Sequence, residues 1–252
     1  MGDARRIKKK IMPKILITGH LGFIGSYLTK ELDDFIGLDI KEDNDILTCH
    51  LPDADIVIHL AAEPGVLKSM DNPYKNAETN IMGTIRLAER YKKSKFIFTS
   101  SGGAIQEVIE SPYGLSKYTC EQYIKILCND YVILRVCNVF GKGSRSVIDK
   151  FLNNDIDIYG DGSATRTYGY VDDVVRAIKA SMTWPKGLYK LGSDQNYNVA
   201  EIAEAIGKPV RFSPHRKGEL LYSSLENTTP GWETTLDAMD YIQQCLNTTS
   251  QS

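Results

Sequence analysis

The 252-residue chain has no apolar run long enough to span a bilayer, so no membrane-spanning helix is expected. Its formal charge of −2 leaves no basic field to hold nucleic acid. Five cysteines (Cys49, Cys120, Cys128, Cys137 and Cys245) are odd in number and lack metal-ligand spacing, so they read as reduced thiols of a cytoplasmic protein. The four histidines form no ligand pair, which argues against a metal site. No apolar signal-peptide core follows the basic start, and residues 1–11 are expected to be a flexible extension. No repeat or long low-complexity segment is present. A hydrophobic content of 42% is enough for a proper core, as one domain or a domain plus a lobe.

What the chain does have is alternation. Strand-like runs at 15–18, 35–39, 55–61, 95–100, 131–136 and 187–192 are separated by amphipathic stretches at 22–32, 74–91, 113–128 and 171–181. This order predicts an α/β fold with a Rossmann-type, doubly wound parallel sheet. Only sixteen residues lie between Asp39 and Ile56, and they include Asp43, Asn44, Asp45 and Pro52. A helix, a strand and a second helix do not fit there, so one βα unit is predicted to be trimmed to a loop. Past Gly141, helical stretches at 146–153, 200–206 and 234–246 mix with Gly-, Ser-, Thr- and Pro-rich loops. They predict a small C-terminal lobe over the carboxyl ends of the strands, where open α/β sheets bind ligands. The expected division is a dinucleotide-binding domain of residues 12–140 with 167–198, and a lobe of 141–166 with 199–246. The polar tail after Leu246 is expected to fray.

The chain is organised around its first strand, which runs into Gly19, Gly22 and Gly25 at the start of a helical segment. A strand delivering a glycine turn to a helix N-terminus offers free N–H groups and a positive dipole end to a diphosphate. Gly19 allows the tight turn, Gly22 the approach of phosphates, and Gly25 the packing of helix on strand. Asp39, twenty residues after Gly19, ends the second strand where a carboxylate meets the adenosine ribose hydroxyls. An acid there favours NAD, since it repels a 2′-phosphate; the neighbouring Lys41 keeps NADP open.

Tyr113 and Lys117 stand four residues apart, on one face of a helix. A nearby ammonium stabilises phenolate, so the Tyr113 pKa is expected to fall from about 10 towards neutrality, making a general acid/base. The buried run 96–98 ends in Thr99, Ser100 and Ser101, a source of a hydroxyl for the oxygen that Tyr113 serves.

Together with His59 to Ala62, Asn80, Arg135 to Gly141, Tyr159 to Arg166, Tyr170 to Asp173, Arg216 to Glu219, and Gly231 with Trp232, these motifs resemble the extended short-chain dehydrogenase/reductase family. Within it they resemble the NAD-dependent nucleotide-sugar epimerases and dehydratases, over about residues 14 to 246. The resemblance implies that Gly19, Gly22, Phe23, Ile24 and Gly25 hold the NAD diphosphate, Asp39 the adenosine ribose, and Asp45 and Ile46 the adenine. Leu60, Ala61 and Ala62 would line the cofactor and Asn80 support it. Ser101, Tyr113 and Lys117 would be the catalytic set, with Lys117 also on the nicotinamide ribose. Asn138 would touch the substrate diphosphate, Arg166 and Arg216 clamp its phosphates, and Glu219 hold the nucleotide ribose. A homodimer is also implied, through helices 74–91 and 113–128. Ile81, Ile85, Leu87, Ile124 and Leu127 suit either that interface or the sheet-facing core.

Five departures narrow the reading. Dehydratases of the family carry an Asp-Glu pair after the catalytic hydroxyl, where this chain has Gly102 and Gly103. The aspartate usual after the arginine of the Tyr-Gly-Asp-Gly motif is Thr167, the segment after Gly141 is short, and Pro64 stands where galactose epimerases often keep a lysine. Ser223, in place of a bulky tyrosine, leaves room for a 2-acetamido group. The expected activity is epimerisation of a nucleotide sugar at C4, on a UDP-hexose or UDP-N-acetylhexosamine, through a 4-keto intermediate. The alternatives are a reductase of a 4-keto nucleotide sugar and a non-catalytic NAD-binding module.

Overall fold

A computed structural model of the chain describes residues 12–105, 109–215 and 222–249. Its elements are β1 (Ile15–Thr18), α1 (Phe23–Leu28), β2 (Ile36–Leu38), β3 (Ile56–His59), α2 (Val66–Asp71), α3 (Pro73–Ala77), α4 (Gly83–Arg90), β4 (Lys95–Ser101), α5 (Pro112–Leu127), β5 (Asp130–Val136) and β6 (Asn138–Phe140). Then follow α6 (Val147–Asn153), β7 (Ile156–Tyr159), β8 (Thr165–Tyr170), α7 (Val171–Ser181), β9 (Gly187–Leu191), β10 (Asn196–Asn198), α8 (Val199–Ile206), β11 (Val210–Ser213), β12 (Tyr222–Ser223) and α9 (Ala238–Thr249).

Six strands form a parallel sheet in the order β2-β1-β3-β4-β5-β9. The order reverses beside β1, which opens a crevice at the carboxyl ends of β1 and β3. Central strands covered on both faces read as unbroken apolar runs, as Phe96, Ile97 and Phe98 do here, each almost fully buried. Leu16, Val57, Leu87, Phe96 and Ile124 pack on one face, and Ile17, Ile58, Ile97, Val174 and Ile178 on the other. Each such side chain contributes roughly 1.5–3 kcal/mol on burial.

The trimmed unit is real, and β2 is an edge of the sheet. Between β2 and β3 the chain makes one 3-10 turn, Ile40–Glu42, capped by Asp39, and then a loop. Arg86 on α4 pins that loop: its guanidinium donates to the carbonyls of Ile46 and Cys49, both at 2.6 Å. Helix 74–91 is not uniform, since Glu78–Met82 is a π-helical turn between α3 and α4. The last helix starts later than expected and continues to Thr249, into the tail expected to fray.

A smaller sheet joins β10, β8 and β12, with β6 also on β8, and β7 pairs with β11. Phe140, Ile148, Ile158, Ile202 and Ile242 form its separate apolar core. One crossing ties this region to the main sheet. The backbone at Leu225 lies directly on Gly192, just beyond β9, and a Cβ there would overlap the Leu225 carbonyl and sit 2.5 Å from the Glu226 carbonyl carbon. Gly192→Ala forces backbone against backbone, an overpacking cost of about 1–3 kcal/mol. A fall in melting temperature of about 3–10 °C, read by calorimetry, is expected.

Candidate active site

Gly19 follows β1 with φ +74°, and its N–H donates to the Leu38 carbonyl at 2.7 Å. A Cβ on Gly19 would lie 2.6 Å from the Ala61 nitrogen; one on Gly22 would lie 3.0 Å from the Gly19 carbonyl oxygen. A Cβ on Gly25 would overlap that carbonyl and stand 2.7 Å from the His20 Cα. The turn is therefore a bare-backbone cradle that any side chain would fill. Phe23 and Ile24 begin α1 behind it, and no side chain caps the helix. Asp39 is buried, and its carboxylate accepts from the backbone N–H of Leu21 and of Lys41, both at 3.0 Å. The Lys41 ammonium is taken up by the Leu21 carbonyl at 2.7 Å. Asp45 caps the Leu47 N–H at 2.9 Å, and Ile46 is buried with its side chain towards Gly83. Leu60, Ala61 and Ala62 are half-buried at the end of β3.

Three buried residues hold that strand end in place. Thr84 donates its hydroxyl to the Asn80 carbonyl at 2.5 Å, so it accepts from His59 Nε2 at 2.9 Å. His59 Nδ1 then accepts from the Thr18 hydroxyl at 2.7 Å, and Thr18 Oγ1 accepts the Ala61 N–H at 3.3 Å. The imidazole is neutral: burial, and then the Lys117 charge, lower its pKa to about 3. Asn80, on the π turn, accepts the Glu63 N–H at 2.7 Å and donates to the Glu63 carbonyl at 3.2 Å and to Ser116 at 3.0 Å.

Ser101 ends β4, and Tyr113 and Lys117 lie on the first turns of α5. Ser101 stands beside the Tyr113 phenol, and Ser101 Oγ accepts the Gly103 N–H at 3.1 Å. The fit is close, since a Cβ on Gly114 would lie 2.7 Å from the Gly103 carbonyl. Lys117 is buried, donates to the Thr99 carbonyl at 2.9 Å and lies 4.7 Å from the Phe98 ring centroid. Below it, Glu121 is fully buried and accepts from Ser100 at 2.6 Å and from two nitrogens of Arg135 at 2.8 Å. The Tyr113 phenol does not behave as the Tyr-Lys spacing suggests. Its enclosure pushes the pKa up to about 12, against a lowering by the neighbouring Ser101 hydroxyl, so it is protonated at neutral pH in the free protein. Burial lowers Lys117 to about 8, with Cys120 and Glu121 opposing.

At Gly102 and Gly103 an added Cβ would meet only ordinary contacts, Val136 O and Ser101 Oγ each at 3.6 Å, so packing does not forbid side chains at these positions. Arg166 and Ser223 lie in register on neighbouring strands, and Tyr197 opposes Arg166 on the other side. Asn138 is exposed, with its amide donating to the Thr167 carbonyl at 3.2 Å. Thr167 is buried; its hydroxyl donates to Asn196 at 2.5 Å and accepts the Leu225 N–H at 2.9 Å, pinning the segment that carries Ser223. Arg216 and Glu219 lie outside the described residues. Of the residues that suited interface or core, Leu87 and Ile124 are fully buried, and Ile81 and Leu127 pack on the same core.

The pattern matches a known family. Residues 15–200 match the NAD dependent epimerase/dehydratase family, and the chain belongs to it. It is 31% identical to a putative UDP-glucose 4-epimerase of Methanocaldococcus jannaschii, over 92% of this chain and 97% of that protein. It is 30% identical to the UDP-glucose 4-epimerase of Mycolicibacterium smegmatis, over 87% and 93%. The crystal structure of UDP-glucose 4-epimerase from Thermotoga maritima, with UDP-glucose, superposes with a TM-score of 0.80 at 27% identity, covering 94% of this chain and 99% of that one.

Proposed function

We propose that this chain is a UDP-sugar 4-epimerase in which Tyr113 moves the proton of the sugar C4 hydroxyl. The observation that carries it is the contact of Ser101 with Tyr113, one helical turn from a buried Lys117, with glycines in place of an acid-base pair at 102 and 103. The relatives' names support this reading. The bare-backbone cradle of Gly19, Gly22 and Gly25 fits the diphosphate of NAD, and buried Asp39 suits an unphosphorylated adenosine ribose. Phe23, Ile24, Asp45, Ile46, Leu60, Ala61, Ala62 and Asn80 complete the cofactor's surroundings in this proposal. When bound, NAD supplies reversible acceptance of hydride at the sugar carbon.

The chain's own residues do the rest. Ser101 hydrogen-bonds the C4 oxygen, Tyr113 takes its proton and later returns it, and Lys117 keeps positive charge near the phenol. Asn138, Arg166 and Arg216 hold the nucleotide diphosphate, guanidinium suiting phosphate through its bidentate geometry, and Glu219 holds the nucleotide ribose. Ser223 leaves room for an N-acetyl group. In this reading the lobe of residues 141–166 and 199–246 binds the nucleotide sugar, and the domain of 12–140 with 167–198 binds NAD. Exposed Tyr74, Met82, Tyr123 and Ile126, on α3 to α5, suit a homodimer interface. Free thiols suit a cytoplasmic setting; among the described residues no helix is long and apolar enough to cross a membrane.

The test is to mix NAD-loaded protein with UDP-glucose or UDP-GlcNAc and read C4 inversion by NMR, with NAD retained through turnover. A keto-sugar reductase would release its cofactor instead. A pH profile adds a second check. The ammonium of Lys117 is the active form and is lost as pH rises past about 8, so kcat/KM is expected to fall above that pH. In Lys117→Arg, whose guanidinium does not titrate, that limb is expected to vanish even if the rate is lower.

A further inference from the structure

The first turn of α5 leaves one amide to be satisfied from elsewhere. Pro112 has no N–H, the Gly114 N–H donates to the Ser111 side chain at 3.1 Å, and the Leu115 N–H donates to the Ser111 carbonyl at 3.0 Å. The remaining amide is that of Tyr113. It donates at 3.1 Å to Ser69 Oγ, which is 44 residues away on α2 and fully buried. Ser69 is fixed in turn, donating to the Val66 carbonyl at 2.6 Å. Helix α2 follows Ala61, Ala62 and Glu63 after only Pro64 and Gly65, and the Glu63 backbone is clamped by Asn80 and by Asn76 at 3.1 Å.

We propose that Ser69 is a positioning residue for Tyr113, a cap supplied in trans that sets the catalytic tyrosine from the cofactor side of the cleft. This rests on the reading of Tyr113 as the acid/base. Without the Ser69 hydroxyl the half-buried Tyr113 amide loses its partner, and the first turn shifts to find another. The phenol then leaves its place beside Ser101. NAD and nucleotide-sugar contacts, made by other residues, stay as they are.

The experiment compares Ser69→Ala, Ser69→Thr and Ser181→Ala. Ser181 is the control, also fully buried and also donating to the carbonyl three residues back (Ile178, 2.7 Å), but on α7, away from the site. Ser69→Ala is expected to lower kcat about tenfold, with KM and NAD affinity within twofold. Ser69→Thr restores kcat to within threefold, and Ser181→Ala leaves it unchanged. A readout without substrate accompanies these: the Tyr113 ring signal in protein labelled with 13C at tyrosine Cζ, assigned by its absence from Tyr113→Phe. With burial lost, the phenol of Ser69→Ala is expected to ionise at lower pH than wild type, where it is raised to about 12. Wild-type kcat and an unmoved Tyr113 signal in Ser69→Ala would overturn the proposal, as would a loss matched by Ser181→Ala. If the wild type turns over no UDP-sugar while the signal still moves in Ser69→Ala, the positioning role stands and the reaction assignment fails.

Discussion

Tyr113→Phe is expected to lower kcat by about a thousandfold while NAD remains bound. General acid/base groups contribute about 10²–10⁴ in rate, and this hydroxyl is the one that meets both Ser101 and the site of proton transfer in our reading. The substitution keeps the ring and removes only the hydroxyl, and Ser101 Oγ retains the Gly103 N–H, so the fold should hold. Steady-state rates with UDP-glucose, beside NAD content of the purified variant, check it. A variant that keeps more than a tenth of wild-type kcat would remove Tyr113 from the chemistry. The free protein also carries a phenol at about 12, too high for a base at neutral pH. A cationic nicotinamide bound beside the phenol would stabilise phenolate, so the 13C signal of Tyr113 is expected to titrate at lower pH when NAD is added.

Gly19→Ala is expected to weaken NAD binding by more than a hundredfold. Two costs meet at this position. A non-glycine residue at φ +74° is strained by roughly 1–2 kcal/mol, and its Cβ would lie 2.6 Å from the Ala61 nitrogen and 2.8 Å from the Ala61 Cα. Relief requires the turn to part from the end of β3, which breaks the cradle itself. Gly207→Ala separates the two costs, because Gly207 has φ +73° with nothing within 4 Å of its Cβ and lies after α8. It should lose a similar increment of stability and keep full NAD affinity by calorimetric titration. Equal affinity in both variants would mean that the glycine turn does not hold the cofactor.

The parts of this molecule that sequence reveals are those with local signatures. Buried parallel strands announce themselves as apolar runs, and the spacing from Gly19 to Asp39 follows from one strand-helix-strand unit. The trimmed unit was readable because sixteen residues with a proline cannot fold as a βα repeat. What holds its replacement loop was not, because Arg86 reaching the carbonyls of Ile46 and Cys49 has no short-range pattern. The same is true of Ser69 on the Tyr113 amide and of the directed chain from Ala61 through Thr18, His59 and Thr84 to Asn80. Gly114, between Tyr113 and Lys117, is required by the Gly103 carbonyl packed against it, which no local pattern announces. The Tyr113 pKa went the other way from expectation. Spacing on a helix puts phenol and ammonium on one face, but in the free protein enclosure raises the phenol, the lowering comes from Ser101, and the Lys117 ammonium is directed to the Thr99 carbonyl.

The central claim is that one phenol exchanges the C4 proton while the C4 hydrogen itself never leaves the pocket. The direct test is UDP-glucose or UDP-GlcNAc deuterated at C4, incubated with the NAD-loaded protein in ordinary water and followed by NMR. The account predicts the C4-inverted sugar with its deuterium retained and no net change in cofactor redox state. Inversion with the deuterium washed out, or an unchanged sugar in the presence of bound NAD, would contradict it.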